Sequence, residues 1–211
     1  MPNIIPAKTL LNRYVSPSDR ILLVNPPVEE TRYAWLRWNQ PLDLLKVGGY
    51  LKSQVGCDVK LLDFMKPDTR GKVVYQRLPG ARQDRIVGGE RYPTRRYGLP
   101  YSDFKKWVIK QRAAGAKLPT QVWITSLCSY WFLSVAQICR EVRQALADIK
   151  IILIGSYAQY MPSHAADTCP ADFIVTEPCD IIGIPAALEL YQESFPPFTA
   201  LRLEPKIAVT R

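Results

Sequence analysis

The stretch RILLVNPP, Arg20 to Pro27, decides the fold. Its apolar residues run consecutively instead of alternating with polar ones, the mark of a strand covered on both faces. Pro26 and Pro27 lack the N–H donors a central strand needs, so the strand stops there and the chain leaves the sheet. Downstream, Val28 to Gln40 (VEETRYAWLRWNQ) mixes charges with large aromatics and reads as a loop. Pro41 then opens PLDLLKVGGYLKSQVG, which places Leu42, Leu45 and Gly49 on one helical face. After the Gly56 turn, Cys57 to Asp63 (CDVKLLD) alternates and reads as a second strand. Strand, helix and strand together make one βαβ unit.

The same alternation resumes further on. Ser102 and Asp103 are placed to cap a helix that runs to about Ala113 and ends near Gly115. Gln121 to Ser126 is a third strand, Leu133 to Leu146 a helix, Lys150 to Ile154 a fourth strand and Pro162 to Thr168 a short helix. Asp172 to Thr176 is a fifth strand and Ile181 to Glu193 a last helix. Strands this apolar, alternating with helices, predict an α/β fold: a flavodoxin-like (Rossmann-like), doubly wound, five-stranded parallel sheet of order 2-1-3-4-5. In such sheets a ligand sits beyond the carboxyl ends of the strands, so the loops Asn25–Gln40, Ser126–Phe132, Gly155–Met161 and Thr176–Asp180 are the ones to inspect. Residues 65–101 are rich in proline and glycine without a period, and read as an irregular insertion after the second strand.

With 211 residues and 47% hydrophobic composition, the chain has enough apolar material for such a core and is not of disordered type. No apolar run reaches the roughly 20 residues of a membrane span and no secretory leader pattern opens the chain, so a cytoplasmic location is expected. The net charge of +9 is unevenly spread: between Lys66 and Lys117 there are 14 Lys or Arg against 4 Asp or Glu. RYPTRR (Arg91 to Arg96) could meet phosphates, but no helix-turn-helix, zinc finger or stacking motif accompanies it, and nucleic acid is not the expected partner. The five cysteines, at 57, 128, 139, 169 and 179, include no CxxC pair and imply neither a disulfide framework nor a metal site.

Neither GxxxxGK[ST] nor a GxGxxG after a strand is present, which argues against nucleotide hydrolysis and dinucleotide binding. His164, in MPSHAA at a helix start, is the sole histidine available to activate a nucleophile; it reads as a helix-terminal residue with local bonds or as a ligand contact, and no catalytic residue is assigned. Glu29 and Glu30 are adjacent, point apart, and read as solvated loop residues.

Taken in order, ILLVNPP, PLDLLKVGGYLKSQVGCDVKLLD, QVWITSLCSYWF, KIILIGSYAQYMPSHAA and ADFIVTEP resemble the cobalamin-binding domain at the amino terminus of many radical S-adenosylmethionine enzymes. The resemblance covers roughly residues 19–195, leaving 1–18 as an amino-terminal extension and 196–211 as a linker. Thr125-Ser126-Leu127 stands where that family has SxL and Gly155-Ser156 where it has GG, with 27 residues between Leu127 and Gly155. Small residues after a strand let backbone approach a bulky ligand, and hydroxyls can meet its polar tail.

By that resemblance the corrinoid contacts are Asn25, Pro26 and Pro27 after the first strand; Thr125, Ser126, Leu127, Ser129 and Tyr130 after the third; Gly155, Ser156, Tyr157 and Ala158 after the fourth; and Thr176 and Glu177 after the fifth. The DxHxxG of other cobalamin modules is missing from the first loop, which implies a base-off cobalamin with no protein histidine on cobalt. Tyr33, Trp35, Arg37 and Trp38, with Arg32, would then flank the lower cobalt face, or the tryptophans plug the sheet top. The cysteine spacing cannot form the CxxxCxxC that holds a four-iron four-sulfur cluster. S-adenosylmethionine and the cluster are therefore expected only through a radical domain in cis or on a separate chain, the present chain being a domain, a truncated product or half of a split enzyme. The alternative is a ligandless flavodoxin-like interaction module that docks a partner through its basic insertion.

Overall fold

The computed structural model describes residues 2–31, 41–77, 85–87, 89–92 and 94–177. In chain order its elements are β1 (Asn3–Ile5), α1 (Ala7–Tyr14), β2 (Arg20–Asn25), β3 (Val28–Thr31), α2 (Leu42–Tyr50), a π turn (Leu51–Val55) and β4 (Asp58–Asp63). There follow β5 (Tyr75–Arg77), β6 (Arg85–Val87), β7 (Glu90–Tyr92), β8 (Thr94–Tyr97), α3 (Asp103–Ala113) and β9 (Gln121–Thr125). The last described elements are α4 (Phe132–Ala145), β10 (Lys150–Ile154), α5 (Ser156–Tyr160), α6 (Pro162–Thr168) and β11 (Phe173–Val175).

The fold is α/β, built on a parallel sheet of order β1-β11-β10-β9-β2-β4. The expected five strands are present and neighbour one another as 2-1-3-4-5 (β4-β2-β9-β10-β11), but the count is corrected to six and the full order is extended accordingly. A sixth strand, β1, comes from residues expected to form an extension, and its Asn3, Ile4 and Ile5 register against Phe173, Ile174 and Val175. The residues of β1 carry no period of their own, and an edge position is conferred by their partner. The last expected helix, Ile181 to Glu193, lies outside the described residues, as does the linker 196–211.

Alternation along the central strands sorts their side chains onto two faces. Leu22, Val24, Val122, Ile124, Ile151, Leu153 and Ile174 pack with Phe104 and Val108 of α3 and with Val135, Ile138, Cys139 and Val142 of α4. On the other face Ile21, Leu23, Trp123, Ile152, Ile154, Phe173 and Val175 meet Leu10 of α1 and Leu44, Leu45, Val47 and Leu51 around α2. Leu23 is fully buried, and truncating such a leucine to alanine costs about 2–5 kcal/mol.

Two local expectations are also corrected. Residues 65–101 are not irregular throughout: β5 and β8 pair with β3 in an antiparallel sheet of order β3-β8-β5, and β6 and β7 form a separate hairpin. The loop after β2 thus contains a strand, because its VEET finds TRRY, placing Glu29 opposite Arg96 and Glu30 opposite Arg95. Ser102 does not cap α3 with its side chain; Asp103 instead pairs with Lys106 at 2.6 Å within the first turn. Gly115, at φ 66°, accommodates the left-handed conformation just beyond the carboxyl end of that helix.

Candidate functional site

The carboxyl ends of β2, β9, β10 and β11 lie side by side, which brings Asn25, Thr125, Ser126, Gly155, Ser156 and Thr176 to one end of the sheet. The crossovers diverge between β2 and β9, the place where a parallel sheet opens a crevice.

On the β2 side this end of the sheet carries a polar tie and a small sheet. Asn25 Nδ2 donates to Asp63 Oδ1 at 2.7 Å, and the Met65 N–H donates to the same oxygen at 2.9 Å. Pro26 and Pro27 are buried, and β3 follows them directly. An apolar cluster of Val28, Met65, Val73, Tyr97 and Trp131 joins the small sheet to the segment after β9. Trp131 Nε1 donates to Glu30 Oε2 at 3.4 Å. Tyr101 Oη donates to Glu29 Oε1 at 2.8 Å and lies 3.0 Å from Ser134 Oγ. Burial, reinforced by the Glu29 charge, pushes the Tyr101 phenol well above its ordinary value, so it stays a donor. Glu29 and Glu30 are therefore not solvated loop residues: Glu30 is buried, and both face arginines across the strand pair.

On the β9 and β10 side the chain is packed tightly. Gly155 holds φ 89°, and a β-carbon there would lie 2.5 Å from Thr125 Oγ1 and 2.9 Å from the Ser126 carbonyl oxygen. Only glycine fits that approach and that dihedral. Ser126 is anchored three ways: its N–H donates to the Ile154 carbonyl at 3.4 Å, its carbonyl accepts from the Tyr157 N–H at 3.1 Å, and its Oγ donates to the Cys128 carbonyl at 2.9 Å. Thr125 Oγ1 is buried and has no hydrogen-bond partner among the described residues. Leu127 is exposed at 41%, while Ser129 and Ser156 are half-buried.

Several expected contacts prove to be committed elsewhere. Tyr157 and Ala158 lie in the first turn of a short helix, α5, where a loop was expected, and both are buried in the core. Tyr157 Oη lies 2.7 Å from His164 Nδ1, and the His164 ring sits edge-on to Phe132 at 4.9 Å between centroids. His164 is thus held by local packing at the start of α6. Glu177 Oε2 accepts the Ala7 N–H at 3.0 Å, closing the amino end of α1, and the Thr176 N–H donates to the Ile5 carbonyl at 3.2 Å. These two residues tie down β1 and α1, a role hidden from a reading that treated 1–18 as an extension. Tyr33, Trp35, Arg37 and Trp38, with Arg32, lie outside the described residues, as does the side chain of Tyr130.

Sequence reading missed Asp63, Tyr101, Ser134 and Trp131, which no short motif connects. The one available signal was charge complementarity between VEET and TRRY. Among the described residues no group of three or more His, Cys, Asp or Glu side chains could hold a metal ion, and no described helix is long and apolar enough to cross a membrane. No family model and no curated protein matches this chain.

Proposed function

We propose that this chain is a cobalamin-binding module on a flavodoxin-like sheet variant, with the corrinoid edge-on against the carboxyl ends of the strands and its tail directed to the crevice between β2 and β9. The observation that carries this reading is the buried, unpartnered Thr125 Oγ1 directly beneath Gly155 at that end of the sheet. A buried hydroxyl left without a partner costs about 1–3 kcal/mol, and a polar ligand group reaching it would recover that cost. Thr125, Ser126, Leu127 and Ser129 from β9, and Gly155 and Ser156 from β10, would hold the ligand, with Asn25, Pro26 and Pro27 on the β2 flank. The residues after β2 that would lie near the lower cobalt face include no histidine, in keeping with a base-off corrinoid without a protein ligand on cobalt. When bound, cobalamin supplies methyl-group or radical-assisting chemistry. The chain's own part is to position it and limit water access, with S-adenosylmethionine and an iron–sulfur cluster supplied by a radical domain in cis or in trans.

A second reading, a ligandless module that docks a partner, draws support from Ser126 and Glu177 being satisfied internally. An ultraviolet–visible titration with hydroxocobalamin and methylcobalamin, followed by desalting, separates the two. Retained corrinoid with a base-off spectrum supports the cobalamin module, and a spectrum of histidine-ligated cobalt refutes its coordination. A colourless protein at micromolar concentration, alone and with a radical domain added, leaves the docking module.

A further inference from the structure

A groove lies at the opposite end of the sheet, lined by Arg20, Ile21 and Leu22 of β2, Asp58 and Lys60 of β4, Trp107 of α3, and Lys117 and Pro119 ahead of β9. It exists because α3 packs over the centre of the sheet through Phe104 and Val108 and, among the described residues, leaves the start of β4 exposed on that face while Leu62 further along packs into the core. Val59 and Leu61 turn to the opposite face, toward α2, so the groove side of β4 presents Asp58 and Lys60, both exposed. Arg20, Lys60 and Lys117 outweigh the single Asp58. Lys60 and Lys117 meet no carboxylate among the described residues, and Arg20 spends only its Nε, on the Leu118 carbonyl at 2.7 Å.

The backbone beside this groove has open bonding capacity as well. β4 ends the sheet, with β2 as its one described neighbour. The Asp58 N–H donates to the Asp19 carbonyl at 3.1 Å and the Phe64 N–H to the Asn25 carbonyl at 3.0 Å, both toward β2. By alternation the N–H groups of Val59 and Leu61 point away from the sheet, and neither has a partner among the described residues. An edge strand bordered by unpaired cations offers two kinds of recognition together: main-chain bonds along the strand, and charge at every second residue.

We propose that the β4 edge and the groove beside it form a docking site for an extended acidic segment of a partner protein, which adds a strand to β4 and points alternate carboxylates at Lys60, Lys117 and Arg20. A polypeptide is favoured over a nucleic acid because the open N–H groups belong to a strand edge, whose geometry matches another strand's carbonyls. The proposal is independent of the corrinoid reading, which concerns the other end of the sheet.

The test uses the full chain, 15N-labelled, and a fluorescein-labelled twelve-residue peptide alternating glutamate and threonine. The expected result is saturable binding that weakens with added salt, shifts and slowed exchange of the Val59 and Leu61 amides, and about tenfold weaker binding by Lys60→Glu/Lys117→Glu at an unchanged melting temperature. Lys60→Gln/Lys117→Gln serves if charge reversal impairs folding, and Val59→Pro removes one outward N–H without touching the bonds to β2. The proposal is overturned if the peptide does not bind at millimolar concentration. It is equally overturned if binding leaves the Val59 and Leu61 amides unmoved, or if a single-stranded oligonucleotide binds more tightly through the same lysines.

Discussion

Gly155 stands so close to Thr125 that the threonine hydroxyl occupies the space a β-carbon on residue 155 would take, 2.5 Å from its ideal position. The contact joins the carboxyl ends of β9 and β10, and it excludes any side chain at 155. Gly155→Ala would combine this clash, and one with the Ser126 carbonyl, with a φ of 89° that alanine resists. The expected loss is about 1–3 kcal/mol, read as a lowered midpoint in chemical denaturation. Wild-type stability in Gly155→Ala would show that the loop relaxes.

Thr125→Val tests the hydroxyl itself. It keeps the shape and removes a buried oxygen that has no partner, so the ligand-free variant should be as stable as the parent or up to about 1 kcal/mol more stable. Corrinoid retention after desalting should fall in the same variant. Loss of stability without loss of retention would place Thr125 outside the ligand's reach.

Tyr101 joins the small sheet to α4 through Glu29 and Ser134. Tyr101→Phe strands a carboxylate partner in a mostly buried site and should cost about 1–3 kcal/mol. With its pKa raised by burial and by Glu29, the folded Tyr101 keeps its proton above the pH at which an unfolded tyrosine loses it, near 10. Stability should therefore decline as pH rises above about 10. Ultraviolet titration of the folded chain should find a set of late-ionising tyrosines, Tyr97, Tyr101 and Tyr157, each raised first by burial, and that set should shrink by one in Tyr101→Phe.

Asp19 supplies the opposite pH dependence. Burial acts to raise its pKa, but the Thr120 hydroxyl and the Ser16 N–H and O–H outweigh it and hold the carboxyl below its ordinary 3.8. The bonds measure 2.7 Å from Thr120 Oγ1 and 2.8 Å from the Ser16 N–H. A depressed folded pKa contributes stability above the unfolded value that disappears as pH falls through the folded one. Asp19→Asn should thus be less stable than the parent at neutral pH, with the gap closing below pH 3.8. A gap constant with pH would refute the assignment.

Glu177 closes the amino end of α1. Glu177→Ala should destabilise the chain by about 1 kcal/mol and speed amide exchange in 7–14 more than in α4. Uniform acceleration would mean that α1 and the sheet open together.

Residues such as Ile21 to Val24, Ile151 to Ile154 and the Pro162 helix start were legible because burial on both faces and a fixed proline φ leave their mark within a few consecutive letters. The same local logic located Thr125, Ser126 and Gly155 at strand ends. It could not show that Tyr157 turns inward, since a short helix after Gly155 has too few turns for a periodic signal.

Local pattern was therefore sufficient for the α/β class, for five of the parallel strands and for the placing of Thr125, Ser126 and Gly155 at strand ends. Pairing over long separations was not contained in it. β1 is a strand because Phe173 to Val175 lies beside it, VEET is a strand because TRRY returns to meet it, and Glu177 is a helix cap because β11 delivers it to Ala7. In each case the stabilising partner is distant in the chain. The free energy that selects the structure comes from contacts that exist only once the sheet has formed.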